Sequence, residues 1–128
     1  MNKILVDTSV WIDYFSGKPE VAVLDNLIDK NLISINNLIL SELVPFLKHN
    51  KQNKVVELLY SINNIPIDIS WDQIIKFQCT NLKNGLNKVG IPDLIILQNV
   101  IDNDLELMTL DKHFSLINKF IKFNLFKF

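Results

Sequence analysis

The segment Lys3-Ile4-Leu5-Val6-Asp7-Thr8-Ser9 decides the fold of this chain. Its short apolar run predicts a buried strand, and the polar residues after the run predict a turn and the start of a helix. Val10 to Phe15 continue that helix until Gly17 and Pro19 break it. The chain therefore opens with a strand that leads directly into a helix.

Apolar runs and helical periodicities alternate along the rest of the chain. Further strands are predicted at residues 32–35, 65–69 and 105–109, and helices at residues 21–28, 38–47, 55–62, 71–86 and 92–101. Asn36 or Asn37 is expected to cap the third helix, and Ser70 the fifth. This alternation predicts one α/β domain over residues 1–128, with a mainly parallel, Rossmann-like central sheet and helices on both faces.

Three segments carry more specific expectations. Pro45 is expected to kink its helix or to mark an irregular turn. The residues at helical spacing after Ser70 predict a buried face, in which Cys79 is a buried thiol rather than a nucleophile; they are Trp71, Ile74, Ile75, Cys79, Leu82 and Leu86. The tail from Phe120 to Phe128 predicts an edge strand with one buried face, with a surface that stacks on RNA bases as the alternative.

The composition limits the class of protein and its location. With 128 residues, of which 48% are hydrophobic and 21% charged, the chain is expected to fold around a real core. The positive mean hydropathy hints at apolar surface left for a partner. A net charge of -1 does not indicate nucleic-acid binding, because proteins that bind nucleic acids usually carry a basic surface. One cysteine and no apolar leader predict a cytoplasmic protein without a membrane segment.

Four carboxylates stand where an α/β sheet binds its ligands. Asp7 and Asp111 follow predicted strands, Asp93 lies in the first turn of a helix, and Glu42 lies on the helix after the second strand. Taken singly, each has a structural explanation at a helix start, in a turn or on a helix surface. Ligands in such sheets bind beyond the carboxyl ends of the strands, where the strand order reverses. The four side chains are therefore expected to converge there.

Converging carboxylates indicate a bound cation. Like charges repel and raise one another's pKa unless something positive lies between them. Oxygen ligands without a histidine or cysteine cluster favour Mg²⁺ or Mn²⁺ over zinc. Such an ion can activate water against a phosphodiester and stabilise the leaving oxygen. The residues thus predict hydrolysis of a nucleic-acid backbone.

Four sequence strings in order carry a family resemblance. They are Val6-Asp7-Thr8-Ser9 with Trp11-Ile12-Asp13, Ser41-Glu42-Leu43, Ile91-Pro92-Asp93-Leu94-Ile95, and Met108-Thr109-Leu110-Asp111-Lys112-His113-Phe114. As a set they resemble the motifs of PIN-domain nucleases, especially the VapC toxins. The chain differs from many relatives in the bulky Ile96 and Leu97 and in Pro45 near Glu42.

The resemblance implies a PIN-like fold and a set of roles for the acids. Asp7 and Asp93 would ligate the principal metal, Glu42 would ligate it or position its water, and Asp111 would complete the site or hold a second ion. Thr8 or Ser9 would orient Asp7. The resemblance also implies an endoribonuclease toxin that acts on RNA, forms a homodimer and is restrained by a protein antitoxin.

Other readings stay open beside this one. A PIN nuclease in RNA processing, without an antitoxin, and a catalytically inactive binding module share the same fold. A phospho-aspartate enzyme is disfavoured, because Ser9 occupies the position expected for its second aspartate. Several polar residues near the motifs are interpreted as packing or solvated residues rather than site residues; they are Asp13, Lys48, His49, Lys51, Lys54 and His113.

Overall fold

A five-stranded parallel sheet organises residues 3–128, the part of the chain that the computed structural model describes. The strands are β1 Ile4–Val6, β2 Ile33–Ile35, β3 Asn63–Asn64, β4 Glu106–Met108 and β5 Asn124–Leu125. Their order across the sheet is β3-β2-β1-β4-β5, and every neighbouring pair is parallel. The predicted α/β fold with a parallel sheet is confirmed.

Seven α-helices and one 3-10 helix connect the strands within residues 3–128. They are α1 Thr8–Phe15, the 3-10 helix Pro19–Val21, α2 Val23–Asp29, α3 Asn37–His49, α4 Asn53–Ser61, α5 Trp71–Lys83, α6 Ile91–Asp102 and α7 Lys112–Ile117. In this same range, no helix is long and apolar enough to cross a membrane.

The strand order assigns the helices to the two faces of the sheet. The chain moves from β1 through β2 to β3, then crosses back over β1 to β4 and β5. Because such crossovers are right-handed, the helices that precede β3 lie on one face of the sheet. The helices that follow β3 lie on the other face. Accordingly, α3 packs against α1 and α4, whereas α5 packs against α6. The prediction of helices on both faces is confirmed.

The strand order reverses between β1 and β4, and several helices begin at that edge. Val6 pairs with Met108, and the Asp7 N–H donates a hydrogen bond of 2.9 Å to the Met108 carbonyl oxygen. The helices α1, α3 and α7 each start just after a strand ends. The helix α6 leads into the start of β4, so its own first turn lies at the opposite, carboxyl edge of the sheet.

The two bulky residues by which this chain differs from many sequences with the same motifs are buried in the core beside the sheet. Ile96 and Leu97 of α6 are 1% and 0% exposed, and they join the cluster around Leu5 and Leu107. Burying an aliphatic side chain of this size stabilises the fold by about 1.5–3 kcal/mol. Pro45 lies inside α3, which runs on for four further residues to His49.

The predicted buried face of α5 is wrong at four of its six positions. Trp71, Ile75 and Leu82 are 59%, 59% and 57% exposed, and Cys79 is exposed as well, so the expected buried thiol lies on the surface. Within α5, Ile74 is the one member of the predicted face that is buried, and the buried side continues through Phe77 and Asn81; α5 packs against α6. A helix with apolar residues on two sides does not reveal from its spacing which side faces the sheet.

The third strand lies two residues before its predicted place. β3 is Asn63–Asn64, and the Ile65 N–H adds a last hydrogen bond of 2.8 Å to the Ile35 carbonyl oxygen. Pro66 has no N–H group and cannot extend the ladder, which explains why the predicted strand over 65–69 does not form. At the other edge, the tail forms the predicted edge strand, but only over Asn124–Leu125.

A buried pair of amides joins α3 to α6. The Asn36 Oδ1 atom accepts a hydrogen bond of 2.9 Å from the Ile39 N–H and so caps α3. The Asn36 Nδ2 group donates to Asn99 Oδ1 on α6 at 3.0 Å, and the Asn99 Nδ2 group donates to the Pro66 carbonyl oxygen at 3.0 Å. Asn36 therefore links two helices whose first turns lie at the carboxyl edge.

Substituting Asn36→Ala is expected to lower the free energy of unfolding by about 2–4 kcal/mol, because α3 loses its cap and the buried Asn99 amide loses a partner. Chemical denaturation measures the change. The neighbouring Asn37 is exposed and contacts only the Asn64 side chain among the recorded side-chain hydrogen bonds. Asn37→Ala is the matched control and is expected to change stability by less than about 0.5 kcal/mol. Equal effects of the two substitutions would contradict the linking role.

Candidate metal centre

Asp7 lies at the end of β1 as a buried, strongly hydrogen-bonded carboxylate. Its side chain is 7% exposed. The Thr8 N–H donates to Oδ1 at 2.8 Å, and the hydroxyls of Ser9 and Thr109 donate to Oδ2 at 3.1 and 2.8 Å. Burial raises the pKa of Asp7, these hydrogen bonds lower it, and the nearby charge of Asp111 raises it. The donors fix the carboxylate and offset part of the loss of hydration.

Thr8 connects Asp7 to the second predicted acid. Its backbone N–H contacts Asp7, while its hydroxyl donates a hydrogen bond of 2.9 Å to Glu42 Oε1. Glu42 lies in the second turn of α3 and is exposed. The expected orienting groups are therefore divided: the Ser9 hydroxyl contacts Asp7, and the Thr8 hydroxyl contacts Glu42.

Asp93, Asp111 and His113 form a compact group at the same edge. One possible ligand atom from each residue lies within 4.8 Å of the others. Asp111 caps α7 by accepting a hydrogen bond of 2.9 Å from the His113 N–H. The His113 ring nitrogen Nδ1 also lies 3.2 Å from Asp111 Oδ1. This group brings the third and fourth predicted acids together with a histidine.

The charges of the other three predicted acids act on Asp93. The pKa of its carboxyl is raised from 3.8 to about 6, first by burial and then by the negative charges of Asp111 and Asp7. His113 lowers this pKa, and Glu42 raises it. Few of the side chains at this site touch one another directly. The Thr8 hydroxyl contacts Glu42, and the His113 ring contacts Asp111. The acids nonetheless share one electrostatic site.

This donor set fits a hard divalent cation. Carboxylate oxygens are the ligands that Mg²⁺ and Mn²⁺ prefer, and Mn²⁺ also accepts imidazole nitrogen. Burial is the first cause of the raised pKa of Asp93, and the negative charges of Asp111 and Asp7 add a repulsion that a cation among the carboxylates would relieve. Asp7, Asp93, Asp111 and Glu42 are therefore the residues that could hold such an ion.

Two residues of this site escaped sequence interpretation. Thr109 contacts Asp7 because β1 and β4 are neighbours, and a strand register is needed to foresee that contact. The sequence predicts a packing or surface role for His113. Its side chain is partly exposed, and its ring lies against Asp111. Asp13, in contrast, is partly exposed and pairs with Lys18 at 3.6 Å.

Comparison with known proteins identifies the family. The family model described as PIN domain matches residues 4–119, most of the chain. The chain belongs to the PIN domain family. The resemblance carried by the four motif strings is thereby confirmed at the level of the family. A search of curated proteins finds no significant match to this PIN domain.

Solved structures share the PIN fold over most of their length. A DNA-bound VapBC from Salmonella typhimurium is 16% identical, with a TM-score of 0.76 and 98% of each chain covered. VapBC2 from Rickettsia felis, bound to a promoter DNA fragment, is 19% identical with the same TM-score and coverage. A toxin–antitoxin complex from Klebsiella pneumoniae is 24% identical, with a TM-score of 0.64; 86% of this chain and 88% of that chain are covered.

The raised pKa of Asp93 gives a pH dependence to the stability of this PIN domain without metal. Between pH 3.8 and about pH 6, the Asp93 carboxyl of the folded protein keeps a proton that the same carboxyl has lost in the unfolded chain. The free energy of unfolding is therefore expected to fall as pH rises through this window. Asp93→Asn should weaken this fall, raise Tm at neutral pH without metal, and reduce the Tm rise that we expect Mn²⁺ to produce.

Thermal unfolding between pH 4 and 8, with and without Mn²⁺, measures these effects. Asp104→Asn is the matched control, because Asp104 is an exposed carboxyl just beyond the other end of α6. The control should keep the wild-type pH dependence and the Mn²⁺ response. A wild-type Mn²⁺ response in Asp93→Asn would contradict the assignment of Asp93 to the ion site.

Proposed function

We propose that this PIN domain is a Mg²⁺- or Mn²⁺-dependent endoribonuclease of the VapC-like toxin type, which acts in the cytoplasm. The observation that carries the proposal is the gathering of four carboxylates at the edge where β1 and β4 end. Such a cluster destabilises an ion-free protein, as the raised pKa of Asp93 indicates, so a structural role does not account for it. Membership of the PIN family supports a nuclease.

The proposed ion is held by the acids in distinct roles. Asp7 and Asp93 would hold the principal ion, Glu42 would ligate it or position its water, and Asp111 would complete the site or hold a second ion. When bound, Mg²⁺ or Mn²⁺ would supply the Lewis acidity that activates water against an RNA phosphodiester and stabilises the leaving oxygen.

The protein's own contribution is to hold the acids in place before the substrate arrives. Ser9, Thr109 and the Thr8 N–H fix both oxygens of Asp7, so that its orientation does not change when water is excluded. The Thr8 hydroxyl restrains Glu42, which would otherwise be a mobile, exposed side chain. A fixed set of ligands avoids the reorganisation that slows a reaction of charged groups.

An antitoxin is the proposed restraint on this activity. A groove of about 330 Å³ lies between α3 and α4 and is lined by Asn37, Leu40, Ser41, Val44, Pro45 and Tyr60. Tyr60 and the nearby Phe46 are 60% and 70% exposed, which leaves apolar surface beside Glu42. A small antitoxin that occupies this groove would also cover the acidic site. The toxin–antitoxin complexes that share this fold support this part of the proposal.

A homodimer is the proposed assembly. The exposed residues Trp71, Ile75, Cys79 and Leu82 follow one another at helical spacing and form an apolar face on α5. Exposed apolar faces of this kind are typical of interaction surfaces. A second copy of the chain would bury this face on both protomers at once.

Metal-dependent cleavage of a panel of structured RNAs by the purified protein tests the proposed activity. Asp7→Asn and Asp93→Asn are expected to lower kcat/KM by about 100-fold or more, since each loses several kcal/mol of charge stabilisation. Asp13→Asn is the matched control, because Asp13 pairs with Lys18 and lies outside the acidic group. It should cleave like the wild type.

The same assay separates the competing functions. No cleavage with either ion and no divalent binding would favour an inactive binding module. Cleavage that a product of a small adjacent gene does not inhibit would favour a PIN nuclease in RNA processing.

A further inference from the structure

We propose that His113 is a nitrogen ligand of the metal centre and makes the site favour Mn²⁺ over Mg²⁺. The inference rests on the proposed function, because it concerns the same ion. The carrying observation is that ligand atoms of Asp93, Asp111 and His113 all lie within 4.8 Å of one another. An ion that binds both carboxylates is therefore within reach of the imidazole.

The local backbone directs the histidine ring to the site. The Asp111 side chain caps α7 through the His113 N–H, so the two residues are held in one turn. Phe114, the next residue, is fully buried and contacts the Phe123 ring, with the ring centroids 6.5 Å apart. This anchor fixes the start of α7 against the core. The cap and this anchor together fix the His113 backbone beside Asp111, and the ring nitrogen Nδ1 lies 3.2 Å from Asp111 Oδ1.

The contact between His113 and Asp111 fits a ligating imidazole. Nδ1 lies 3.2 Å from Asp111 Oδ1, which is close to the separation of two neighbouring ligand atoms that each lie about 2.1 Å from one ion. In a neutral imidazole one ring nitrogen keeps its lone pair, and Nδ1 is the nitrogen that lies beside Asp111. The ring is partly exposed, so a solvated ion can reach it.

A nitrogen donor changes which ion the site prefers. Mg²⁺ takes oxygen ligands almost exclusively, whereas first-row transition ions bind imidazole, with affinity rising from Mn²⁺ through Co²⁺ to Ni²⁺. Asp7 and Glu42 offer oxygen to all these ions alike. His113 therefore adds affinity for Mn²⁺ but adds little for Mg²⁺.

Pulsed electron paramagnetic resonance of the Mn²⁺-loaded protein tests the inference without an activity assay. The chain contains two histidines, so His49→Gln, on the exposed end of α3, is the matched control for His113→Gln. Wild type and His49→Gln should show the ¹⁴N coupling of an imidazole ligand, and His113→Gln should lack it. Labelling histidine with ¹⁵N in the wild type should replace the ¹⁴N coupling with a ¹⁵N coupling. This measurement does not depend on whether a variant folds.

Titration calorimetry gives the second readout. His113→Gln is expected to weaken Mn²⁺ binding at least about tenfold, with a much smaller change for Mg²⁺. Mn²⁺ bound at the acids with no histidine nitrogen coupling would overturn the role of His113 and leave the proposed nuclease intact. A wild type that binds no Mn²⁺ would overturn both proposals.

Discussion

Parallel pairing between β1 and β4 is the constraint on which the site depends. It brings Asp7 next to Thr109, whose hydroxyl donates to the Asp7 carboxylate at 2.8 Å. A carboxylate that is 7% exposed loses much of its hydration, and the donors around it must replace that loss. The same edge receives the N-terminal parts of α3 and α6, which bring Glu42 in the second turn of α3 and Asp93 in the first turn of α6. Without this strand order the acids would lie on separate parts of the molecule.

The site opposes the stability of the fold that carries it. Burial and neighbouring charges raise the pKa of Asp93 to about 6, so at neutral pH its ionised form is held against an electrostatic penalty. The rest of the structure offsets this penalty through the apolar core and through buried amides such as Asn36 and Asn99. Asn36 also links the helices of Glu42 and Asp93, so one polar contact serves both stability and geometry. Functional sites commonly concentrate strain of this kind.

Sequence interpretation succeeded where local signals and chain order suffice. The apolar run before Asp7 predicts β1, the cap at Ser70 predicts the start of α5, and the order of the acids predicts the family. It failed where tertiary pairing decides. The spacing of apolar residues along α5 does not distinguish its buried face from its exposed one. For this reason Cys79, which is predicted to be buried, lies on the surface. The contacts of Thr109 and His113 depend on strand register and on a helix cap, which no spacing in the sequence reveals.

The proposed function requires a divalent cation held by the carboxylates beside the ends of β1 and β4. Anomalous X-ray scattering from crystals grown with saturating Mn²⁺ tests this most directly, because it locates the ion without relying on any activity. The account predicts a strong peak within bonding distance of the Asp7 and Asp93 carboxylates. A peak bound only elsewhere on the surface, or no peak at saturating Mn²⁺, would contradict it.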